Sequence, residues 1–211
     1  MVGSLSLEVA PHRSPKPMGS KCGGDNKRVE RIWIRASPSL YGLVFDLMHF
    51  RNLLLLFIHR YHDAYGVWVT SPSMLYSLLA KPNVRSTGNP EKMSRIRTIL
   101  GRVEGTEIQE FLEEAKKLKE QVGCKFARQV IRQISNDFVN YFKAIKEWRK
   151  DSKKFTGEPG PSKPKKIRNY RKFTIEMTRD MFDIRGREIV LKLPGDELVV
   201  VMSKEFKVTS V

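Results

Sequence analysis

Seven apolar residues, Phe126, Val130, Ile134, Phe138, Tyr141, Ile145 and Trp148, recur at steps of three or four. Over about six turns that spacing lines one side of a helix. A helix with one apolar side has to bury it against other elements, and the chain has the material to do so. Of its 211 residues 40% are hydrophobic, enough for the core of one compact domain or two small ones. Disorder throughout is excluded; a disordered tail is not.

The segments before this helix repeat the theme. Leu40, Leu43, Val44, Leu47, Leu54, Ile58 and Tyr61 predict a long helix that stops at Gly66. Short helices are expected over Ser73–Ala80, stopped by Lys81-Pro82, and over Glu91–Leu100. Thr106 then reads as the N-cap of a helix with Ile108, Phe111, Leu112, Ala115 and Leu118 inside, ended by Gly123. At both ends of the helical region the period falls to two. Ile32 and Ile34 alternate with Arg31, Trp33 and Arg35, a strand ended by Ser37-Pro38; Phe173 to Met177, Glu188 to Leu193 and Leu198 to Met202 alternate likewise. Pro194-Gly195-Asp196 predicts a hairpin between the last two. Residues 1–28, rich in Ser, Gly, Pro and Lys, read as a flexible leader. The expected fold is α+β: a small β-barrel or sheet from residues 29–36 plus 171–205, an inserted helical block over 38–150, and a basic Pro/Gly linker over 151–170.

Charge points to the partner. Lys and Arg total 39 against 23 Asp and Glu, a net +16, and such an excess favours a polyanion. Residues 125–172 hold 15 of the cations and 4 of the acids. Arg128, Arg132, Lys143, Lys146 and Arg149 lie off the apolar stripe of the long helix. Lys163, Lys165, Lys166, Arg168, Arg171 and Lys172 follow on the proline-stiffened linker, with Tyr170 and Phe173 interleaved. Cations at such spacing track phosphates, and aromatics among them stack on unpaired bases. Two cysteines, Cys22 and Cys124, make neither a disulfide framework nor a four-thiolate zinc site. The charge-free run Leu53–Ile58 is only six residues, far short of the roughly 20 of a membrane span. A soluble, cytoplasmic protein with no membrane partner is expected.

Several of these residues resemble a known family. Gln129-Val130-Ile131-Arg132-Gln133-Ile134, continuing to Phe138-Val139-Asn140-Tyr141-Phe142, resembles a helix of TnpB-type (OrfB) transposon proteins, Q-x-x-(I/L)-R-x-(L/I) and then an aromatic pair. Gly157-Glu158-Pro159-Gly160-Pro161-Ser162-Lys163 and Phe173-Thr174-Ile175 stand where the family has a G-x-P-x-x-K linker and a short strand; Arg51-Asn52 matches its start. The resemblance covers about residues 29–202, with Gln129 to Phe173 the more specific part. It implies the N-terminal half of an RNA-guided DNA nuclease, a wedge-like β-barrel with a helical recognition block that grips guide RNA and the RNA–DNA duplex. The family's RuvC-like nuclease domain, with its metal-binding carboxylates, and its zinc ribbon have no counterpart here. The chain is therefore expected to bind RNA and DNA without catalysis of its own and without a cofactor. Mg or Mn would matter only if a nuclease domain came from a separate or missing C-terminal half. The rival class is a non-enzymatic basic protein-interaction or RNA-binding module unrelated to transposition.

The remaining candidates read as structural. Asp183, in Phe182-Asp183-Ile184-Arg185-Gly186, is expected in a turn. His59 and His62, three apart with Asp63 adjacent and His49 upstream, lack a strong third ligand and are expected as ordinary surface or boundary histidines. Cys124, at a helix start, is expected as a small apolar residue rather than a reactive thiol. Glu104, Glu107, Glu110, Glu113 and Glu114 are expected on the solvated side and first turn of their helix.

Overall fold

A computed structural model of the chain describes residues 4–9, 38–80, 89–166 and 173–201. It is an α+β fold that divides into two compact units, Met1–Val44 with Arg168–Val211, and Phe45–Ile167. The second unit is thus an insertion between the two halves of the first.

In the first unit, β1 (Ser4–Val9) pairs antiparallel with β2 (Phe173–Thr178), from Ser4 opposite Thr178 to Val9 opposite Phe173. This corrects the expected leader. Leu5, Leu7 and Val9 alternate with Ser4, Ser6 and Glu8, a period of two that the Ser/Gly/Pro-rich composition of the wider segment obscures. The strand expected over residues 29–36 lies outside the described residues. A separate meander follows: β3 (Phe182–Arg185), β4 (Glu188–Leu193) and β5 (Asp196–Val201), with β4 in the middle. The expected hairpin is present. Leu193 faces Asp196 across Pro194-Gly195, and Gly195 has φ +75°; proline followed by a positive φ is the pattern of a type II turn. Ile189, Val190 and Leu191 are all buried, so the middle strand is covered on both faces. Asp183 is a strand residue, not a turn residue. It lies opposite Val190 in β3 and pairs with Lys192 at 3.1 Å.

The helical unit is built on α1 (Pro38–Tyr65), whose first residues belong to the other unit. Then come α2 (Pro72–Leu78), α3 (Pro90–Val103), α4 (Glu107–Val122) and α5 (Cys124–Lys150). All seven expected α1 positions are buried, and so are Phe50, Leu53, Leu55 and Phe57. Leu53, Leu54 and Leu55 are successive, and three successive residues span about 200° of a helix. The middle of α1 is therefore buried over more than half of its circumference, with Asn52 and Leu56 half-buried on the remaining side, and it forms the centre of the core. By length and composition α1 is also the one described helix sufficient to cross a membrane, with 28 residues and a mean hydropathy of 1.4 over its most apolar window. This corrects the expectation drawn from its charge-free run, since Asp46 and Arg51 interrupt the apolar pattern without ending the helix. Half of that window is buried inside the protein.

Helix boundaries follow the local chemistry. Asn89 caps α3 by accepting a hydrogen bond from Lys92 N–H at 3.0 Å. Thr106 occupies the N-cap of α4 as expected, but its hydroxyl donates backwards to the Val103 carbonyl at 2.6 Å. Gln109 accepts from Gly105 N–H nearby. Gly123 separates α4 from α5 with φ +81° and ψ 149°, a conformation close to one that only glycine adopts readily.

Candidate nucleic-acid interface

The expected cations of α5 have a helical geometry of their own. Lys125, Arg128, Arg132, Lys143, Lys146 and Lys150 are separated by three, four, eleven, three and four residues, and all are exposed. Each of those intervals is close to a whole number of turns, so the six side chains fall in one row. The row is about 38 Å long at 1.5 Å per residue. Arg149 flanks it and is exposed as well.

These cations differ from those of α3 and α4 in their ion pairing, although Glu147 lies one turn beyond Lys143. On α3, Arg95 is paired with Glu91, and on α4, Lys116 with Glu113, so local partners offset much of the cationic charge there. Among the described residues, Arg132, Lys143, Lys146 and Arg149 have no ion-pair partner. Arg128 is held differently. Its guanidinium lies over the Tyr76 ring at 5.0 Å, and Lys119 Nζ lies 4.9 Å from the same ring. Lys119 is buried and donates to the Leu79 carbonyl at 2.8 Å, so the Tyr76 ring lies near two cations.

The expected linker is not a free tether over its described length. Residues 158–166 run as a strap against α1 and α5. Arg51 donates to Asp137 at 2.8 Å and to the Ser162 hydroxyl at 2.9 Å, and that hydroxyl lies 3.3 Å from Asp137. His59 Nε2 is 2.7 Å from the Ser162 carbonyl; a carbonyl only accepts, so the proton is on Nε2. Asn52 holds the strap twice, its amide donating to the Lys165 carbonyl at 2.6 Å and its oxygen accepting from Lys165 N–H at 3.1 Å. Backbone groups that a free linker would leave to water are thus bonded to side chains, while Lys163, Lys165 and Lys166 stay exposed. Sequence reasoning missed Asn52, His59, Asp137 and Ser162 as partners. The only signal was a pair of polar residues, Arg51-Asn52, directly before the most apolar run of the helix.

Comparison with known protein families, characterised proteins and solved structures finds no match. The interface therefore rests on its own geometry.

The expected residues do not all share one face. Asp137, which receives the strap, is nine residues after Arg128, and nine residues is half a turn out of phase. The cation row and the strap are therefore on different sides of α5. Arg168, Tyr170, Arg171 and Lys172 lie outside the described residues.

Beside the strap is an aromatic cluster. His62 stacks on Trp68 with centroids 3.8 Å apart, and His59 meets the same indole edge-on. Trp68 in turn touches Phe138, Tyr141 and Phe142. The histidines are boundary residues with ring partners, and His49 lies 3.6 Å from Glu114. Among the described residues no three His, Cys, Asp or Glu side chains gather as metal ligands would. Cys124 is exposed at the start of α5, which corrects its expected apolar role: the buried face of the helix begins two residues later, at Phe126.

Proposed function

We propose that the chain binds nucleic acid through backbone contacts, with the cation row of α5 as the main contact and the exposed lysines of the strap as a second one. The single observation that carries this reading is the row itself. Its exposed Lys and Arg side chains lie along about 38 Å of one helix face, and four α5 cations, Arg132, Lys143, Lys146 and Arg149, have no ion-pair partner among the described residues. Cations that are not engaged in an ion pair remain available to phosphates, and each phosphate contact releases counterions. A membrane surface would attract the same charge. However, the row has exposed cations on a helix whose apolar side is already packed in the core, whereas a surface-lying helix offers its apolar side to lipid.

The TnpB-like resemblance supplies the framework of this proposal: a recognition module for RNA and RNA–DNA duplex in a cytoplasmic, transposon-related protein. The proposal is one of binding, not of cleavage. Support for the framework comes from the insertion of a helical unit into a β unit and from the contact of Arg51 with Ser162, in the Gly157–Lys163 region. Both segments are among those whose sequences resemble the family's, beside Gln129–Phe142 and Phe173–Ile175.

The test is binding of RNA and RNA–DNA duplex as a function of salt. Affinity should fall steeply with salt concentration, and the triple reversal Arg132→Glu, Lys143→Glu, Lys146→Glu should remove about three contacts' worth of that slope. Reversal of Lys163, Lys165 and Lys166 to Glu should lower it by a separate increment. Salt-independent binding, or a slope unchanged by either triple, would sink the proposal and favour a protein-interaction module. A quick companion measurement is the 260/280 nm ratio of the purified protein before and after a high-salt wash.

A further inference from the structure

The cation row of α5 has a gap. Between Arg132 and Lys143 lie ten residues, a step of about 16 Å along the helix, without a cation in the row. The row continues there through Asn136, which is exposed and uncharged, and then Val139, a large apolar side chain 48% exposed. Phe142, on the edge of the row next to Val139, is 39% exposed. Isolated exposed apolar residues need no explanation. Two neighbours on one helix face, bracketed by Arg128 and Arg132 on one side and Lys143, Lys146 and Arg149 on the other, do.

The Phe142 ring is braced from inside. Its centroid lies 6.2 Å from that of Phe138, which is fully buried, 5.2 Å from Tyr141 and 6.5 Å from Trp68. None of these three contacts is a parallel stack; the interplanar angles are 43°, 48° and 70°. Trp68 differs, because its stacking partner is His62 at 15°. Phe142 is thus fixed in place, partly open, and not stacked on by the protein's own aromatics among the described residues.

We propose that Phe142, with Val139 beside it, is a stacking platform for an unpaired nucleobase, so that the α5 row takes single-stranded nucleic acid in preference to duplex. The inference rests on the nucleic-acid-binding reading above and adds the ligand class. A strand whose phosphates engage Arg128 and Arg132 before the gap and Lys146 and Arg149 after it passes its intervening bases over the apolar pair. Bases of a single strand have free faces, and stacking on an aromatic ring stabilises them without regard to sequence. In a duplex those faces are already stacked on one another, so Phe142 gains nothing from it. The brace lowers the entropic cost, since the ring does not have to be ordered on binding.

The experiment compares four labelled probes by fluorescence anisotropy: a 12-mer of uridine, the matching thymidine 12-mer, a 12-base-pair RNA duplex and the corresponding RNA–DNA hybrid. Phe142→Leu keeps an apolar side chain of similar bulk and removes the ring. It should weaken binding of both single strands roughly five- to a hundredfold, leave both duplexes within twofold, and leave the salt slope unchanged. Phe142→Trp should retain or improve single-strand binding, which loss of folding would not produce. Equal loss on all four probes, or single-strand affinity within twofold of wild type, overturns the inference while leaving backbone binding intact. A wild-type protein that binds none of the probes overturns the underlying reading as well. Dispersal of a dimer by Phe142→Leu, read by sedimentation, would assign the patch to a second copy of the chain and overturn the stacking role.

Discussion

Removing one carboxylate should loosen the strap from the helices beneath it. Asp137 accepts from Arg51 and lies within hydrogen-bond distance of the Ser162 hydroxyl, so Asp137→Ala breaks a charge-assisted contact and a neutral one together. The Arg51 side chain is 12% exposed and that of Asp137 is 42%, which places the pair between the buried and the surface case. A hydrogen bond to a charged group contributes about 1.5–3 kcal/mol net, whereas a fully exposed ion pair contributes only about 0–1 kcal/mol. A loss of about 1.5–2 kcal/mol is therefore expected, with a fall in Tm of about 3–8 °C for a chain of this size. Urea unfolding followed by helical circular dichroism measures it, with the slope m unchanged. In a double-mutant cycle, Arg51→Ala and Asp137→Ala should couple by about 1 kcal/mol or more, as contacting residues do. A coupling below about 0.3 kcal/mol, the additivity expected of independent sites, would show that the pair does not hold the strap.

Asn52→Ala removes both bonds to the Lys165 backbone and should speed trypsin cleavage after Lys165 and Lys166 severalfold while the rest of the helical unit stays resistant; an unchanged rate would refute the anchoring role. Leu54→Ala empties a fully buried site in the middle of α1 and should cost about 3–5 kcal/mol by chemical denaturation. Gly123→Ala should cost about 1–3 kcal/mol, because its φ of +81° strains any residue with a Cβ; a neutral result would mean that the α4–α5 turn relaxes. In β5, the Ser39 hydroxyl and then the Glu197 N–H hold the Asp196 carboxyl below its ordinary value. A carboxyl whose folded pKa is depressed adds stability above its unfolded value and loses it as the pH falls through the folded one. Carboxyl NMR should give Asp196 a midpoint below an ordinary aspartate, and Ser39→Ala should raise it.

Periodicity made the helical unit legible because the residues that set it are in register with their own helix. All seven expected positions of α1 came from spacing alone; of the seven on α5, Phe126, Val130, Ile134 and Phe138 are buried, whereas Tyr141, Ile145 and Trp148 are only half-buried, because the helix leaves the core towards its C-terminus. What spacing did not show was that Leu53, Leu54 and Leu55 are buried together, since a stripe predicts one apolar side and a central helix has several. The first strand was hidden for a different reason. Ser4–Val9 is a six-residue alternation at the head of a segment whose average composition is that of a tether, and its partner, Phe173–Thr178, is more than 160 residues away. At the candidate interface, exposure of the α5 cations followed from the helical wheel, but docking of the strap depended on contacts across more than a hundred residues, such as Asn52 to Lys165. Nothing in the Pro/Lys composition of the strap distinguishes a segment bonded to helices from one that swings free.

The burial of the middle of α1 has a consequence for synthesis. During translation α1 leaves the ribosome 85 residues ahead of the end of α5, the helix that supplies Asp137 and Phe138 to it. At about 5–20 residues per second that interval is about 4–17 s, long compared with the microseconds in which a helix forms. For those seconds a 28-residue apolar helix exists without its covering, which is the condition under which nascent chains aggregate or are taken up by chaperones and targeting factors. The yield of folded protein in a cell should therefore depend more on holdase supply and on translation speed between codons 66 and 150 than on the stability of the finished core.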